Sequence, residues 1–356
     1  MSYGKDSLAC LAAIEKLGWP VDRIVHAEIW ATDDIPADLP PMVEFKKKAD
    51  AIIKDRWGID VEHVTAMTTY EDVARKQRRS MDELNNHNME TGGAKPLTFQ
   101  DVFYSLRQRG DRTGQTIGWP RTIGAWCNSE LKMRALNRAM RCQEMVMGGG
   151  NSFQVHLREP VLPGVSEGPQ DRADIWMAVP ERTPMPERTE DERSPAGVHP
   201  VFSGSPSSRG AEKNSVIQYV GIAIDEPERL ARLDGTNKIS PLAALGWTEA
   251  DCRKWCEEND LLSPIYTSST RGGCWFCHNQ GVEQLRLLRR NYPDLWALML
   301  KWDADSPVTF KSGGRTVHDY DKRFLMEEAG LIDPDRRFLW KCVTEGDLSD
   351  VISNHS

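Results

Sequence analysis

Apolar residues recur at helical spacing near the start of the chain, for example at Leu8, Leu11 and Ile14. The pattern predicts a helix over residues 6–17, and Gly18 with Pro20 ends it. A run of β-branched and aromatic residues then predicts a strand over 23–31.

A proline-rich loop follows this strand, and a second amphipathic pattern predicts a helix over residues 43–57. Residues 59–64 alternate like a strand. Helix, strand, helix, strand is typical of a parallel sheet with helical crossovers, in which ligands bind at the carboxyl ends of the strands. A strand would normally precede the first helix, so we expect the native start to lie upstream of Met1.

Later in the chain the pattern predicts a strand over 216–224, a helix over 248–259 and a longer helix over 280–302. Between Gly148 and Glu212 lie nine prolines and eight glycines, without hydrophobic periodicity. Such a segment buries too little apolar surface to offset the entropy of its ordering, so we predict a disordered insertion over 148–214.

Charge and composition narrow the functional classes. The chain has 356 residues and a net charge of -8, which does not suit a protein that coats nucleic acid by charge alone. No stretch reaches the roughly 20 apolar residues of a membrane span, and the first residues lack a secretory core. We therefore expect a cytoplasmic protein without membrane contact. Its eight cysteines indicate metal ligation or redox chemistry rather than disulfides.

The first loop places a glycine, a lysine, an aspartate and two serine hydroxyls where the first helix begins: Ser2, Gly4, Lys5, Asp6 and Ser7. Free backbone N–H groups and side-chain donors converge there, as in an anion-binding site. An ordinary helix cap with a solvated Lys5 remains the alternative. The loop is not a Walker P-loop, which needs a second glycine before its lysine.

This loop resembles the Ser-x-Gly-Lys-Asp-Ser loop of the PP-loop ATP pyrophosphatase superfamily. Further blocks, in the same order, resemble the phosphoadenosine phosphosulfate (PAPS) reductase family of that superfamily. They are Trp126-Cys-Asn-Ser-Glu-Leu-Lys132, Gly221-Ile-Ala-Ile-Asp-Glu226, Gly246-Trp-Thr-Glu-Ala-Asp251, Leu262-Ser-Pro-Ile-Tyr266 and Gly273-Cys-Trp-Phe-Cys277.

The resemblance implies an α/β fold of the adenine nucleotide α-hydrolase type: a Rossmann-like (HUP-type) parallel sheet with helices on both faces and a C-terminal helical metal-cluster region. It implies nucleotide binding by the first loop, with Lys5 and Asp6 catalytic. Asp225, with Glu226, would hold Mg²⁺, and Arg271 would contact phosphate. For Asp225 and Glu226, a plain acidic helix start remains the alternative.

The pair Cys274 and Cys277, two residues apart beside glycines, is spaced to bind one metal. Adding Cys252 and Cys256 would make a zinc site, whereas adding Cys256 and Cys127 would make a four-thiolate [4Fe-4S] site, and spacing does not choose. The resemblance favours the cluster, with ligands Cys127, Cys256, Cys274 and Cys277.

Three functions follow from these features. The first is an enzyme that uses Mg-ATP to adenylate a substrate for sulfur transfer, with a sulfur donor as partner and a nucleic acid as a possible acceptor. The second is a reductase of PAPS or its unphosphorylated analogue APS, which would need a thiol reductant and a nucleophilic cysteine. Cys342 is its only C-terminal candidate. The third is a non-enzymatic nucleotide or nucleic-acid binder with a zinc knuckle, in which Trp275 and Phe276 stack on bases.

Four regions result: a nucleotide-binding core over 1–147, the insertion over 148–214, the remainder of the PAPS reductase-like domain over 215–302, and a C-terminal extension over 303–356.

Overall fold

The computed structural model describes residues 1–79, 93–121, 124–146, 217–267 and 272–334. The insertion predicted over 148–214 therefore lies outside the described residues. The described chain is mixed helix and strand and broadly α/β. The strands are β1 (Ile24–Ala27), β2 (Val61–Val64), β3 (Met67–Thr69), β4 (Ala94–Pro96), β5 (Gln218–Tyr219) and β6 (Lys238–Ile239).

Eleven α-helices lie within the described residues. They are α1 (Lys5–Leu17), α2 (Pro40–Trp57), α3 (Tyr70–Gln77), α4 (Phe99–Phe103), α5 (Arg134–Val146), α6 (Pro227–Leu230), α7 (Pro241–Ala244), α8 (Glu249–Glu258), α9 (Val282–Asn291), α10 (Pro293–Asp305) and α11 (Val317–Glu328). A π-helical turn over Asn128–Met133 precedes α5, and short 3-10 turns cover Ala231–Leu233 and Pro264–Thr267.

The parallel strand–helix–strand unit predicted from the first 64 residues is present. Strands β1 and β2 pair in parallel, with Ile24 opposite Val61 and His26 opposite His63, and α2 connects them. The other described strands form an antiparallel pair, β3 with β4, and a second parallel pair, β5 with β6. The mixture of helices with parallel strand pairs confirms the broad α/β class. Each described sheet has only two strands, so the continuous Rossmann-like sheet stays a prediction.

The predicted early helices are confirmed with small shifts at their ends. Helix α1 ends at Gly18, whose φ of 65° is the left-handed conformation that glycine adopts without strain. Helix α2 begins three residues before its predicted start because Pro40 occupies its first turn, where a missing N–H costs nothing. Helix α8 begins after Thr248, whose side chain caps the helix reciprocally with Asp251.

Two predictions for the later chain are corrected. The helix expected over 280–302 is divided into α9 and α10, because Pro293 has no N–H and its ring disfavours a continuous helix. The strand expected over 216–224 is only two residues long. Beyond it, the Val220 N–H still donates to the Ile239 carbonyl, but at Gly221 the backbone turns against the start of α1.

Two hydrophobic clusters form the described core. The first packs α1 and α2 against α8, with Leu8, Ile53 and Leu242 fully buried. The second is rich in aromatic residues and packs α4 against the C-terminal helices, with Trp119, Trp275 and Trp302 at its centre. Burial of such large side chains is the main favourable term of folding.

At Gly221 the chain lies close against the start of α1. A Cβ added there would lie 2.5 Å from the Asp6 carbonyl oxygen and 2.9 Å from the Ser7 nitrogen. Because both are backbone atoms, a larger side chain would force the start of α1 away from residues 220–223. The glycine is therefore a steric requirement of this fold.

We expect Gly221→Ala to lower the free energy of unfolding by about 1–3 kcal/mol, the usual cost of overpacking. Gly313→Ala is the matched control, since a Cβ there meets nothing within 4 Å, and its effect should stay within about 0.5 kcal/mol. Denaturant unfolding of both variants measures the difference. Equal stability of the two variants would contradict the proposed contact.

Candidate functional site

The first loop of the chain, residues 2–7, is folded tightly around the start of α1. Tyr3 is fully buried with a φ of 53°, and Gly4 is extended at the N-cap position. The hydroxyls of Ser2 and Ser7 lie 2.8 Å apart on the exposed side. Among the described side chains none caps the first turn of α1. The loop therefore presents two hydroxyls together with the positive end of a helix.

Lys5 is nearly buried and is held by two carboxylates. Its Nζ lies 2.7 Å from Asp6 Oδ1 and 3.2 Å from Glu249 Oε2, at the start of α8. Burial opposes the lysine charge, but the two carboxylates outweigh it and raise the pKa of Lys5. The ammonium is therefore positioned and charged at neutral pH.

Negative charge exceeds positive charge around the loop. Burial raises the pKa of Asp6, Lys5 opposes that shift, and the charges of Glu249 and Glu226 add to it. A free polyphosphate would meet repulsion from these carboxylates. A polyphosphate that arrives with a divalent cation would instead find carboxylate ligands for that cation.

Residues from distant parts of the sequence form the walls of the loop. The Tyr266 hydroxyl accepts a hydrogen bond from the Lys5 N–H at 3.2 Å, and a Cβ on Gly4 would lie 3.3 Å from that hydroxyl. Asp225 lies at the start of α8, where its carboxylate accepts the N–H of Glu249 at 3.1 Å. Asp225 therefore lies beside Glu249, the partner of Lys5, and its carboxylate binds the first N–H of α8.

The neighbouring acid, Glu226, stands at the N-cap of α6, in keeping with the alternative of an acidic helix start. Its carboxylate accepts the Ala223 N–H and pairs with Arg229 on α6. Arg271, the predicted phosphate contact, lies outside the described residues, as does Cys342.

Cys256 does not lie with the other predicted metal ligands. Its buried thiol donates to the Lys5 carbonyl at 3.3 Å, beneath the first loop, and it packs in the cluster formed by α1, α2 and α8. Burial raises the pKa of Cys256 to about 12. The four-residue spacing to Cys252 places both on one helical face, and that face is turned into the core around α1. The predicted four-cysteine set is corrected accordingly.

The other three predicted ligands lie in one region of the fold, although their sulfur atoms do not all approach within 4.8 Å of one another. Cys274 and Cys277 form a tight turn in which the Cys277 N–H donates to the Cys274 carbonyl at 3.0 Å. Phe99 joins this turn to the segment of Cys127, because its ring contacts both neighbouring aromatic rings. The ring centroids are 4.9 Å from Trp126 and 4.2 Å from Phe276.

The charges of these three cysteines affect one another's titration. Burial raises the pKa of Cys127, and the charge of Cys277 raises it further. Burial raises the pKa of Cys274 to about 12, Lys132 opposes this shift, and the charges of Cys277 and Cys127 add to it. Thiolates that repel one another in a buried region become stable when a metal cation binds them.

Two cationic or basic groups adjoin the Cys274–Cys277 turn. His278 follows Cys277 and its side chain is buried, and the Lys311 ammonium donates to the His278 carbonyl at 2.5 Å. Burial lowers the pKa of Lys311 to about 8, while the charge of Cys277 opposes that shift. The backbone directly after the turn is thus held by the half-buried Lys311.

The aromatic residues between the two cysteines are not a stacking surface for bases. Trp275 and Phe276 are 1% and 3% exposed. The Trp275 indole donates to the Pro36 carbonyl at 2.9 Å and stacks on Trp302. The expectation that these two rings bind nucleic acid is therefore wrong, because the core already covers them.

Two residues of the first loop's surroundings were not predicted as site residues: Glu249, which pairs with Lys5, and Tyr266, which binds its backbone. Both lie inside sequence blocks that carry the family resemblance, Gly246–Asp251 and Leu262–Tyr266. Their position in those blocks is a signal, but the partner of each becomes visible only in the fold.

Comparisons of the chain with protein-family models, with curated proteins and with solved structures gave no match. None of the described helices is long and apolar enough to cross a bilayer. The function of this chain is therefore inferred from its own residues and their contacts.

We expect Cys127→Ser, Cys274→Ser and Cys277→Ser each to reduce the bound metal of anaerobically purified protein well below one equivalent, because each removes a thiolate. Cys256→Ser and Cys252→Ser are the matched controls and should keep it. Elemental analysis for iron and zinc, with assay of acid-labile sulfide, distinguishes a cluster from zinc. If Cys256→Ser also lost its metal while Cys252→Ser kept it, Cys256 would be a ligand and the predicted four-cysteine set would be correct.

Proposed function

We propose that this chain is a PP-loop enzyme of the PAPS reductase family, which binds an adenine nucleotide and activates a substrate by cleaving ATP between its α and β phosphates. The activated substrate would then accept sulfur. The proposal includes a Rossmann-like arrangement of the strands, with the first loop at the carboxyl ends of β1 and β2.

One observation supports the proposal above the others: the contacts that position Lys5 come from segments about 245 and 260 residues away. Glu249 holds its ammonium and Tyr266 holds its backbone N–H. An ordinary solvated lysine at a helix start needs no such support, and its charge is unfavourable there. A lysine fixed beside an uncapped helix terminus is suited to a phosphate chain.

In the proposed reaction a substrate oxygen attacks the α-phosphorus of ATP. A new oxygen–phosphorus bond forms, the bond between the α-phosphorus and the bridging oxygen breaks, and pyrophosphate leaves. Negative charge builds up on the departing pyrophosphate. The Lys5 ammonium and the first N–H groups of α1 would stabilise that charge, which is the part of catalysis that a fixed electrostatic site performs best.

The carboxylates around the loop give the proposed site its cation requirement. Mg²⁺ enters with ATP as part of the substrate. Asp6 and Glu249, which pair with Lys5, and Asp225, which accepts the Glu249 N–H, would be its oxygen ligands. Transfer of Mg²⁺ onto these carboxylates would release Lys5 from its two ion pairs. The ammonium would then be free to bind the phosphate oxygens.

The metal group at the three cysteines would bind the sulfur that is transferred. Cys127, Cys274 and Cys277 would hold the metal group, whether an iron–sulfur cluster or zinc, and three protein ligands leave one coordination position open. Such a group, when bound, offers a sulfur species a place to bind. The nearby Lys132 and Lys311 would balance the thiolate charge.

We expect Lys5→Ala to lower the rate of pyrophosphate release from Mg-ATP by roughly 100- to 1,000-fold, the usual effect of removing one preorganised donor. Lys54→Ala is the matched control, because Lys54 is an exposed partner of Asp60 and lies away from the loop. Calorimetry with ATP, APS and PAPS shows which nucleotide binds. Pyrophosphate release that is equal in Lys5→Ala and Lys54→Ala would contradict the proposal, as would a folded chain that binds none of the three.

A further inference from the structure

Two histidines and a glutamate lie together at the end of the first parallel strand pair. His26 on β1 and His63 on β2 are direct partners in the strand register, and Glu28 follows β1. One side-chain ligand atom from each lies within 4.8 Å of the other two. Among the described histidines, cysteines, aspartates and glutamates, no other three have ligand atoms this close to one another. They lie at the carboxyl ends of the strands, where α/β proteins bind ligands.

Hydrogen bonding determines which nitrogen of His26 is available. Its Nδ1 lies 2.9 Å from the Met1 carbonyl, which only accepts, so Nδ1 carries the proton. The lone pair of the neutral ring is then on Nε2. That atom is buried and has no hydrogen-bond partner among the described residues, and the His26 side chain is 8% exposed. A buried polar atom left without a partner is costly and needs an explanation.

His63 is oriented by a carboxylate. Its Nε2 lies 2.9 Å from Asp50 Oδ2 and 3.0 Å from the Tyr3 hydroxyl, and its Nδ1 faces Glu28 Oε1 at 3.5 Å. A histidine that donates one N–H to a carboxylate and turns its other nitrogen towards a ligand group is typical of metal sites. His26 has the same arrangement, with a backbone carbonyl in place of the carboxylate.

The local charge also suits a divalent cation. Three carboxylates lie in or beside the cluster: Glu28 and Asp38 pair with the buried Lys46 ammonium, and Asp50 pairs with His63. Hydrogen bonds to Asp50 and Glu28 raise the pKa of His63 to about 9, so a metal ion at its Nδ1 would displace a proton. Two negative charges would then remain without compensation. Lys46 lies 2.6 Å from Asp38 and 3.3 Å from Glu28, so it keeps its closer partner when Glu28 turns to a metal.

We propose that His26 Nε2, His63 Nδ1 and the Glu28 carboxylate bind a divalent transition-metal ion, with zinc as the ion that this donor set suits best. Two imidazoles and one carboxylate are the ligands of several zinc sites in which the fourth position stays open. The site is separate from the cysteine centre, uses no thiolate and does not depend on nucleotide binding.

Cobalt(II) is the probe for this site because its spectrum reports the ligands. Titration of the full chain with Co²⁺ should produce visible d–d absorption from a nitrogen- and oxygen-ligated ion. Any ion at the cysteines would add thiolate-to-cobalt charge transfer in the near ultraviolet. The triple variant Cys127→Ser, Cys274→Ser, Cys277→Ser should lose the charge-transfer band and keep the d–d absorption.

The variants His26→Ala, His63→Ala and Glu28→Gln should each lose the thiolate-independent absorption. Asp50→Asn should weaken Co²⁺ binding by about 10- to 100-fold, the usual effect of removing a group that orients a ligand. His318→Ala is the matched control, since His318 also pairs with a carboxylate, Asp303, but lies outside the cluster. It should bind Co²⁺ like the parent chain.

Zn²⁺ provides a second readout. Saturating Zn²⁺ should raise the thermal midpoint of the triple cysteine variant, and the additional Glu28→Gln change should abolish that increase. Circular dichroism shows which variants fold. If a histidine variant does not fold, Glu28→Gln, which keeps the shape of the side chain, provides the test instead. The proposal is overturned if the triple cysteine variant shows no Co²⁺ absorption, or if that absorption survives in folded His26→Ala and Glu28→Gln chains.

Discussion

The close approach of residues 220–223 to the first turn of α1 is the constraint on which the described site depends. It requires glycine at 221, because any Cβ there would collide with the Asp6 carbonyl. The same packing lets the Cys256 thiol donate to the Lys5 carbonyl, and it brings Glu249 to the Lys5 ammonium. The lysine that the first loop contributes is therefore positioned by the second half of the chain, although the loop itself is only six residues long.

Buried lysines show how this chain manages charge in its interior. Lys5, Lys46 and Lys95 are each at most 9% exposed, and each is paired with two carboxylates. A buried ammonium is tolerated only when such partners replace its hydration. At each of these lysines two carboxylates face one positive charge. At Lys5 and Lys46 further ligand groups lie beside them: the uncapped start of α1 at Lys5, and His26 and His63 near Lys46. Both places are thus prepared for an additional cation, which is consistent with Mg²⁺ at the first loop and a transition metal at the histidines.

Much of the helical structure could be predicted, because its signals are local. The apolar spacing predicted α1, α2 and α8, and proline chemistry explains why α9 and α10 are separate. Other signals were present but not used: Thr98 with Asp101 and Thr316 with Asp319 form capping boxes at the starts of α4 and α11. The strands were less predictable, because a strand's length depends on a partner that sequence spacing does not name.

The sequence by itself determined the chemical groups and their local spacing: a lysine beside a helix start, a tight Cys274–Cys277 turn, and two cysteines on one face of α8. Only the tertiary structure decided which of these groups meet. It placed Cys127 beside the cysteine turn through Phe99, and it directed Cys256 into the core under the first loop. It also paired His26 with His63 across parallel strands separated by α2. The physical reason is that helical spacing and turn geometry act within a few residues, whereas strand register and core packing join residues that have no fixed distance along the chain.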